Sequence, residues 1–508
     1  MIPRISFYCS LALALAVVFS SDATADLKLA AIFSDHVVLQ CDRPVTVWGG
    51  ADAGTTVTIE FAGQKKSATA NADGRWAVKL DTLKASAEAR ELIVLTDKEK
   101  LTIKDVLVGE VWHASGQSNM EWNVGSVAGK LPAVKEQVAA ANFPAIRFRK
   151  INDGESATPL SELRGRGGWS VCSPATVSGY SATAFFFARR LHEELNVPVA
   201  IIDTSRGGTP IEPYIPRQAF TGHDTLKREL ELGEKHDLAG LRAMPGGVYA
   251  RDANWLPGRL FNSRVAPIAG FAARGLIWYQ GESNCGVGED PRDYQHKMRA
   301  LIKGWRAALG NDELSVYFVQ LPGSGANTHW PYLREEQRRA ADLPGTGMVV
   351  TADIEGGDIH PPNKVDVGQR LARWALAKDY GKPVAFSGPL FAKAEIGEGK
   401  ITVQFDRAEK GLMIATKTGL VAPKETPDAA LRLFELADES GAWFPAEATI
   451  AGKTVVVTSA KVPRPVAVRY AYRVTPKGCN LYNREGLPAS PFISRPELAA
   501  FDAKLPVD

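Results

Sequence analysis

The feature that most constrains the fold is a regular alternation of strand-like and helix-like segments between about residues 105 and 380. The strand-like runs span residues 106–114, 199–205, 275–280, 316–322 and 347–354. Segments with helical periodicity span residues 181–195, 294–309, 332–343 and 364–380. Strands that alternate with helices favour a parallel sheet with helices on both faces. The pattern therefore predicts an α/β fold built on a doubly wound parallel sheet.

Two β-rich regions flank this stretch. A chain of 508 residues is longer than one hydrophobic core usually organises, so several domains are expected. Short β-type runs separated by Gly, Asp and Asn turns fill the region before residue 101 and return after about residue 386. We predict an N-terminal β-rich domain (26–101), an α/β domain (102–385) with an insertion near 218–255, and a C-terminal β-rich region (386–508).

The N-terminus has the pattern of a secretory signal peptide. Arg4 precedes an apolar stretch from Phe7 to Phe19, and Ala23-Thr24-Ala25 supplies the small residues that signal peptidase accepts. We predict cleavage after Ala25 and export to the periplasm or the extracellular space. No later segment has the roughly 20 apolar residues that a transmembrane helix needs, so no membrane span is expected.

Charge argues against one class of partner. The formal net charge is only +3, and the basic residues are scattered among acidic ones without a basic stripe. Nucleic-acid binding normally requires such a stripe or patch, so no nucleic-acid partner is expected.

Four of the predicted strands are followed at once by a polar, glycine-containing cluster. The clusters occupy residues 115–119, 204–209, 280–284 and 355–361. In doubly wound sheets, ligands bind in the crevice at the carboxyl ends of the strands. We therefore expect these four loops to meet at one site.

The first and last clusters contain a candidate nucleophile and a candidate base. A serine hydroxyl reacts only when a neighbouring base removes its proton, so Ser118 needs a histidine. His360 lies in a loop with two glycines before it and two prolines after it, with Asp358 two positions earlier. Local sequence leaves other interpretations open: Ser118 as a turn or helix-cap residue, Gly207-Gly208 as a plain tight turn, Asp358 as a helix cap, and His360 as a loop histidine whose hydrogen bonds are satisfied within the fold.

Several longer motifs carry a family resemblance. They are "IFSDHVVLQ", "VTVWGGADAGTTV", "GEVWHASGQSNMEW", "DTSRGGTPIEPY", "GLIWYQGESN", "DIHPPNK" with "VGQRLARWAL", and "NLYNREGLPASPF". Together they resemble the sialate O-acetylesterase family, a branch of the SGNH-type serine esterases, over nearly the whole chain after the signal peptide. The resemblance implies an SGNH-hydrolase-like catalytic domain.

The resemblance also implies residue roles. Ser118 is the expected nucleophile, His360 the general base and Asp358 the orienter of the imidazole. SGNH esterases usually have the acid three positions before the histidine, where this chain has Gly357. Asp353, or a backbone carbonyl, is therefore an alternative orienter.

For the oxyanion hole, the resemblance implies three donors. Two are the backbone N–H groups of Ser118 and Gly208. The third is a side-chain amide from "QGESN", either Gln280 or Asn284, and Gln280 is favoured because it lies nearer the predicted strand end.

The chain departs from the family at two places. Arg206 stands where members commonly have Trp, and Ser263-Arg264 where they commonly have a Gly-Met pair. A guanidinium suits a carboxylate, so Arg206 is a candidate substrate-binding residue for an acidic sugar such as sialate or a uronic acid. The alternative is a surface arginine that merely replaces an aromatic residue.

The expected function is hydrolysis of O-acetyl esters on an acetylated sugar or glycan, with sialate as the first candidate. This chemistry needs no metal and no organic cofactor. An acetyl xylan or other polysaccharide acetylesterase is the alternative among enzymes. A non-catalytic carbohydrate-binding protein is the alternative from another class.

Overall fold

The computed structural model describes residues 26–165, 167–244, 255–285, 290–325, 329–354, 358–499 and 501. The predicted signal peptide, Gly356, Gly357 and the end of the predicted insertion lie outside these ranges.

The N-terminal region consists of short strands that lead into one long strand. They are β1 (Lys28–Leu29), β2 (Val38–Gln40), β3 (Val45–Gly50), β4 (Thr56–Phe61), β5 (Gln64–Thr69), β6 (Arg75–Leu80), β7 (Ser86–Leu95) and β8 (Lys100–Gly116). β1, β3 and β6 form a small antiparallel sheet. The start of β8 pairs with β7, and its end pairs with strands of the central sheet. The predicted boundary at residue 101 lies inside β8, and the division into domains stays a prediction.

The central region alternates strands and helices as its pattern predicts. Its strands are β9 (Phe143–Lys150), β10 (Ser170–Cys172), β11 (Val199–Asp203), β12 (Gly275–Tyr279), β13 (Ser315–Val319) and β14 (Thr346–Val349). Its helices are α1 (Ser118–Glu121), α2 (Val124–Lys130), α3 (Pro132–Ala139), α4 (Ala182–Leu195), α5 (Asp224–Glu234), α6 (Leu238–Arg242), α7 (Tyr294–Ala308), α8 (Trp330–Ala340) and α9 (Lys364–Lys378). The strand order is β10-β9-β11-β8-β12-β13-β14.

The order of the strands explains where a crevice can form. From β8 the chain builds β9 and β11 on one side, then crosses to build β12, β13 and β14 on the other. Such a reversal of direction is a topological switch point, where the connections leave the sheet in opposite directions and open a crevice at the strand ends. In this protein the rule places the crevice beside the end of β8, directly before Ser118.

The sheet is mixed, which differs from the all-parallel expectation. β9, β11, β8, β12, β13 and β14 are parallel, but the edge strand β10 runs antiparallel to β9. The described residues between β9 and β10 (151–165 and 167–169) contain no helix, and parallel neighbours need a crossover. The sequence pattern missed β9 because Arg147 and Arg149 interrupt its apolar run, although both side chains are buried.

Helices cover both faces of the sheet. Trp112 and His113 are neighbours in β8, so their side chains point to opposite faces. The ring of Trp112 packs against Phe187 of α4, and that of His113 against Trp305 of α7. The result is a mixed α/β layer with one extensive core.

The C-terminal region is β-rich, as its composition predicts. Its strands are β15 (Leu390–Gly397), β16 (Lys400–Asp406), β17 (Leu412–Thr416), β18 (Lys424–Glu425), β19 (Phe434–Ala437), β20 (Trp443–Pro445), β21 (Glu447–Ala451), β22 (Thr454–Thr458), β23 (Ala467–Tyr470), β24 (Leu481–Asn483) and β25 (Phe492–Ile493). They form three small sheets. Among the described residues, Cys41, Cys172, Cys285 and Cys479 are buried, and no helix has the length and apolar character to cross a membrane.

Candidate active site

Ser118 and His360 meet at the carboxyl edge of the sheet. Ser118 is the first residue of α1, two positions after β8 ends, and His360 lies in the loop that leads from β14 to α9. The Oγ of Ser118 lies 2.8 Å from the Nε2 of His360, although the two residues are 242 positions apart in the chain. Both side chains are partly accessible to solvent. This is the contact that a serine nucleophile and its base require.

An aromatic ring restrains one face of the His360 imidazole. The ring stacks on Trp122, with centroids 5.1 Å apart and planes 15° from parallel. Burial and, to a smaller extent, the nearby Lys364 and Lys130 lower the pKa of His360, while Asp358 acts in the opposite direction. The free base is therefore favoured over the imidazolium.

Neither candidate orienter is hydrogen-bonded to His360. Asp358 is about half exposed and forms an ion pair of 3.7 Å with Lys130. Asp353 is buried and forms a bidentate ion pair with Arg370, with two contacts of 2.7 Å. Within the described ranges, Ser118 is the one hydrogen-bonding partner of the His360 ring.

The loop after β11 lies directly against the nucleophile. The N–H of Gly207 donates to Oε2 of Glu121 in α1 at 2.7 Å, which ties the loop to the helix that begins at Ser118. A Cβ atom at Gly207 would lie 2.9 Å from that Oε2 and 3.6 Å from the Cβ of Ser118, so a larger residue would displace the Glu121 carboxylate from this contact. Gly208 follows with φ +72°, a left-handed conformation that favours glycine.

Two backbone N–H groups near the nucleophile are unpaired in the described structure. The N–H of Ser118 belongs to the first turn of α1, whose donors have no carbonyl within the helix. The N–H of Gly208 has no acceptor among the described residues. Both of the predicted backbone donors are therefore available to a ligand.

The side-chain amides of Gln280 and Asn284 are already engaged in a buried network. The Nε2 of Gln280 lies within hydrogen-bonding distance of Gln117 Oε1, the Thr209 carbonyl and Asn284 Oδ1. The Nδ2 of Asn284 donates to the carboxylate of Glu212 at 2.9 and 3.1 Å. In this conformation both amide nitrogens already donate to buried protein acceptors, and both residues contact the loop that carries Gly208, at Thr209 and Ile211.

The two departures from the family pattern occupy different environments. Arg206 is half-buried beside Gly207, and its guanidinium has no hydrogen bond or ion pair among the described residues. Arg264 is 4% exposed and donates to the carbonyls of Thr204 and Ser205 at 3.2 and 2.9 Å. Arg206 is thus free to bind a ligand, whereas Arg264 holds the loop after β11 in place.

A buried polar cluster beneath Ser118 was not predicted from the sequence. The Nδ2 of Asn119 donates to Glu282 Oε1 and, at 2.9 Å, to the carbonyl of Ile359. The Nζ of Lys364 donates to the Oδ1 of Asn119. Asn119, Glu282 and Lys364 all lie within motifs that carry the family resemblance, but local sequence does not show that the Lys364 side chain is buried rather than exposed at the start of a helix. Its burial depends on the tertiary packing.

One group of potential metal ligands lies within the described part of the chain. Ligand-type atoms of Cys41, Asp42 and Glu110 lie within 4.8 Å of one another. The carboxylate of Glu110 is committed to Arg274 through two contacts of 2.9 Å, and burial raises the pKa of the Cys41 thiol above its ordinary value. These residues belong to the N-terminal strands and β8 and do not contact Ser118 or His360.

The comparisons with known proteins agree on one family. Residues 108–377 match the family described as carbohydrate esterase, sialic acid-specific acetylesterase. The sialate O-acetylesterases of rat and human are each 28% identical to this chain, over 94% and 95% of it, and each alignment covers 96% of the relative. A solved carbohydrate acetylesterase from Xanthomonas citri is 33% identical, covers 92% of this chain and 99% of its own, and superposes with a TM-score of 0.80. The chain belongs to the sialic acid-specific acetylesterase family of carbohydrate esterases.

Proposed function

We propose that Ser118 and His360 are the catalytic pair of a serine esterase on an SGNH-type scaffold. The protein is a carboxylic ester hydrolase that acts on O-acetyl esters of carbohydrates, in keeping with its family. The observation that carries the assignment of residues is the 2.8 Å contact between Ser118 Oγ and His360 Nε2 at the switch point of the sheet.

The reaction follows from this contact. His360 Nε2 takes the proton of Ser118 as the Oγ attacks the acetyl carbonyl carbon, which forms a tetrahedral intermediate. The intermediate collapses, the sugar oxygen leaves with the proton from His360, and an acetyl-serine remains. A water molecule, deprotonated by His360, attacks this ester, and the second tetrahedral intermediate releases acetate and restores Ser118.

The backbone N–H groups of Ser118 and Gly208 are the proposed oxyanion donors. Both are unpaired in the described structure, and the loop that carries Gly208 packs so closely on the nucleophile that a Cβ atom at Gly207 would lie 3.6 Å from the Cβ of Ser118. Donors that are already oriented stabilise the developing negative charge without reorganisation during the reaction. Gln280 and Asn284 support the hole by fixing its loop, since both amide nitrogens already donate to buried protein acceptors.

Asp358 remains the proposed electrostatic partner of His360. Its charge raises the pKa of His360, which means that it stabilises the imidazolium formed when the serine proton is transferred. Asp353 is the less suitable partner because Arg370 already binds both of its oxygens.

The pH dependence should report the environment of His360. His360 must be unprotonated to act as a base, so activity is lost as the pH falls through its pKa. Burial and the neighbouring lysines lower this pKa. We therefore expect the acidic limb of kcat/KM to lie below about 6.5, the ordinary value for histidine. A limb at or above that value would contradict the proposed environment.

The substrate is proposed to be an O-acetylated acidic sugar, with sialate as the first candidate. The related rat and human proteins are sialate O-acetylesterases. The unpaired guanidinium of Arg206, one residue before Gly207, offers a fork that matches the carboxylate of such a sugar. An acetylated neutral polysaccharide such as xylan remains the second candidate, and the solved relative from Xanthomonas citri is named only as a carbohydrate acetylesterase.

Replacing Arg206 with glutamine tests this choice. We expect Arg206→Gln to raise KM for acetylated sialic acid by about 10-fold, the value of a charge-assisted hydrogen bond. The KM for acetylated xylo-oligosaccharide should not change, because that sugar has no carboxylate. The exposed Arg228 on α5 supplies a control, since Arg228→Gln should alter neither value. Equal changes in KM for both sugars would show that Arg206 does not bind the sugar carboxylate.

The test of the function is acetate release from 9-O-acetylated sialic acid and from acetylated xylo-oligosaccharide, measured side by side. Faster release from the acidic sugar supports the proposed substrate, and faster release from the neutral one supports the polysaccharide alternative. Binding of either sugar without release would favour a non-catalytic carbohydrate-binding protein.

We also propose that the protein is exported after removal of residues 1–25. This proposal rests on the sequence pattern alone. It can be checked by N-terminal sequencing of the secreted or periplasmic protein.

A further inference from the structure

Two neighbouring hydrogen bonds join the same two dipeptides. Ser118 and Asn119 open α1, and Ile359 and His360 lie in the loop before α9. The Ser118 Oγ contacts His360 Nε2 at 2.8 Å, and the Asn119 Nδ2 donates to the Ile359 carbonyl at 2.9 Å. The position of the imidazole relative to the serine therefore depends on the position of the Asn119 side chain.

The Asn119 amide is held in a single orientation. Lysine can only donate hydrogen bonds, and a carboxylate can only accept them. The Nζ of Lys364 therefore requires the oxygen of the Asn119 amide on its side, and the Oε1 of Glu282 requires the nitrogen on the other. With one Nδ2 hydrogen on Glu282, the second is left for the Ile359 carbonyl.

Both charged groups are buried at a cost in stability. Lys364 is 0% exposed and Glu282 is 5% exposed. No direct ion pair joins them within the described ranges, and the Oε2 of Glu282 has no hydrogen-bonding partner there. Burial lowers the pKa of Lys364 to about 7 and raises that of Glu282. Burying two apolar side chains of similar size would cost less free energy than burying these charged groups. The stability of the fold therefore does not account for the cluster.

Few other contacts fix the position of the His360 imidazole relative to Ser118. No carboxylate of the described residues hydrogen-bonds the imidazole, since Asp358 pairs with Lys130. Trp122 restrains the plane of the ring by stacking but does not set its distance from Ser118.

We propose that Lys364 and Glu282 are positioning residues that orient Asn119 and thereby hold the loop bearing His360 against Ser118. The inference deepens the proposed function, because its effect on catalysis rests on the Ser118–His360 pair. It concerns residues that contact neither the substrate nor the reacting atoms.

The activity test compares three variants. Lys364→Met keeps the length of the side chain but removes the donor, and Glu282→Leu removes the acceptor. Each should lower kcat by up to about 100-fold, as expected for a misplacement of roughly 1 Å, with little change in KM. Glu282→Gln keeps an acceptor oxygen for Asn119. Its kcat should be about tenfold higher than that of Glu282→Leu. Equal activity of the two Glu282 variants would overturn the proposal for that residue.

A second measurement needs no substrate. The charged groups that face His360 are Lys364 and Lys130, which lower its pKa, and Asp358, which raises it. Lys364 is itself faced by Glu282, Asp358 and Lys130. An NMR titration of the His360 ring, assigned with His360→Asn, should show that Ser118→Ala shifts the His360 pKa in the parent protein but shifts it much less in Lys364→Met, because the hydrogen bond to Ser118 is already weakened there. A lysine that only stabilises the fold would change the melting temperature and leave the effect of Ser118→Ala on this pKa as large as in the parent protein, and that result would overturn the proposal.

The two measurements separate the inference from the proposed function. If the parent protein released no acetate from any sugar, the esterase assignment would fail, but the titration would still decide whether Lys364 acts on His360. If acetate were released normally and Ser118→Ala shifted the His360 pKa equally in the parent protein and in Lys364→Met, only the positioning role would fail.

Discussion

Replacing Ser118 with alanine is expected to lower kcat for acetyl ester hydrolysis by about 10⁴-fold or more. Without the Oγ no acetyl-serine can form, and the remaining rate reflects only substrate binding and the oxyanion donors. The substitution removes one half-buried oxygen atom, so the fold should be unaffected. The measurement is single-turnover acetate release, together with the melting temperature of both proteins.

A matched control is available on the next helix. Ser126 in α2 is exposed, eight positions after Ser118, and Ser126→Ala should retain full activity. If Ser118→Ala remained active while stable, the nucleophile would have to be another group, and the contact with His360 would be only structural.

Replacing His360 with alanine should produce a loss of similar size. The imidazole accepts the serine proton at Nε2 and returns it to the leaving sugar oxygen, so both steps of the reaction depend on it. The effects of Ser118→Ala and His360→Ala should not add, because either change disables the same unit. The double variant is therefore expected to be no slower than Ser118→Ala alone.

A distant histidine serves as the control for this experiment. His236 lies in the insertion, where its ring contacts Arg259 at the surface. His236→Ala should leave kcat and KM unchanged. A double variant that was much slower than either single variant would show that the two residues act independently and would contradict the proposed pair.

Much of the central fold could be predicted from the alternating pattern. Residues 275–280 correspond to β12, and residues 294–309 to α7, with bounds that differ by one residue. These elements have an apolar core face at the period of their own secondary structure, so local sequence reports them directly. β9 could not be found in this way, because its arginines break the apolar run and are buried only through contacts elsewhere in the chain, such as that between Arg147 and Asp105.

The candidate site, like the fold, could be predicted from local sequence only in part. Local sequence was enough to place Ser118 and His360 after strands, and parallel strands bring their carboxyl ends to one edge, so their meeting could be expected. Which polar groups stay free at that edge depended instead on the tertiary packing. That packing engages Gln280 in a buried network and leaves Arg206 without a partner among the described residues. It also buries Lys364 beneath Asn119, because hydrogen bonding and burial depend on residues far apart in the chain.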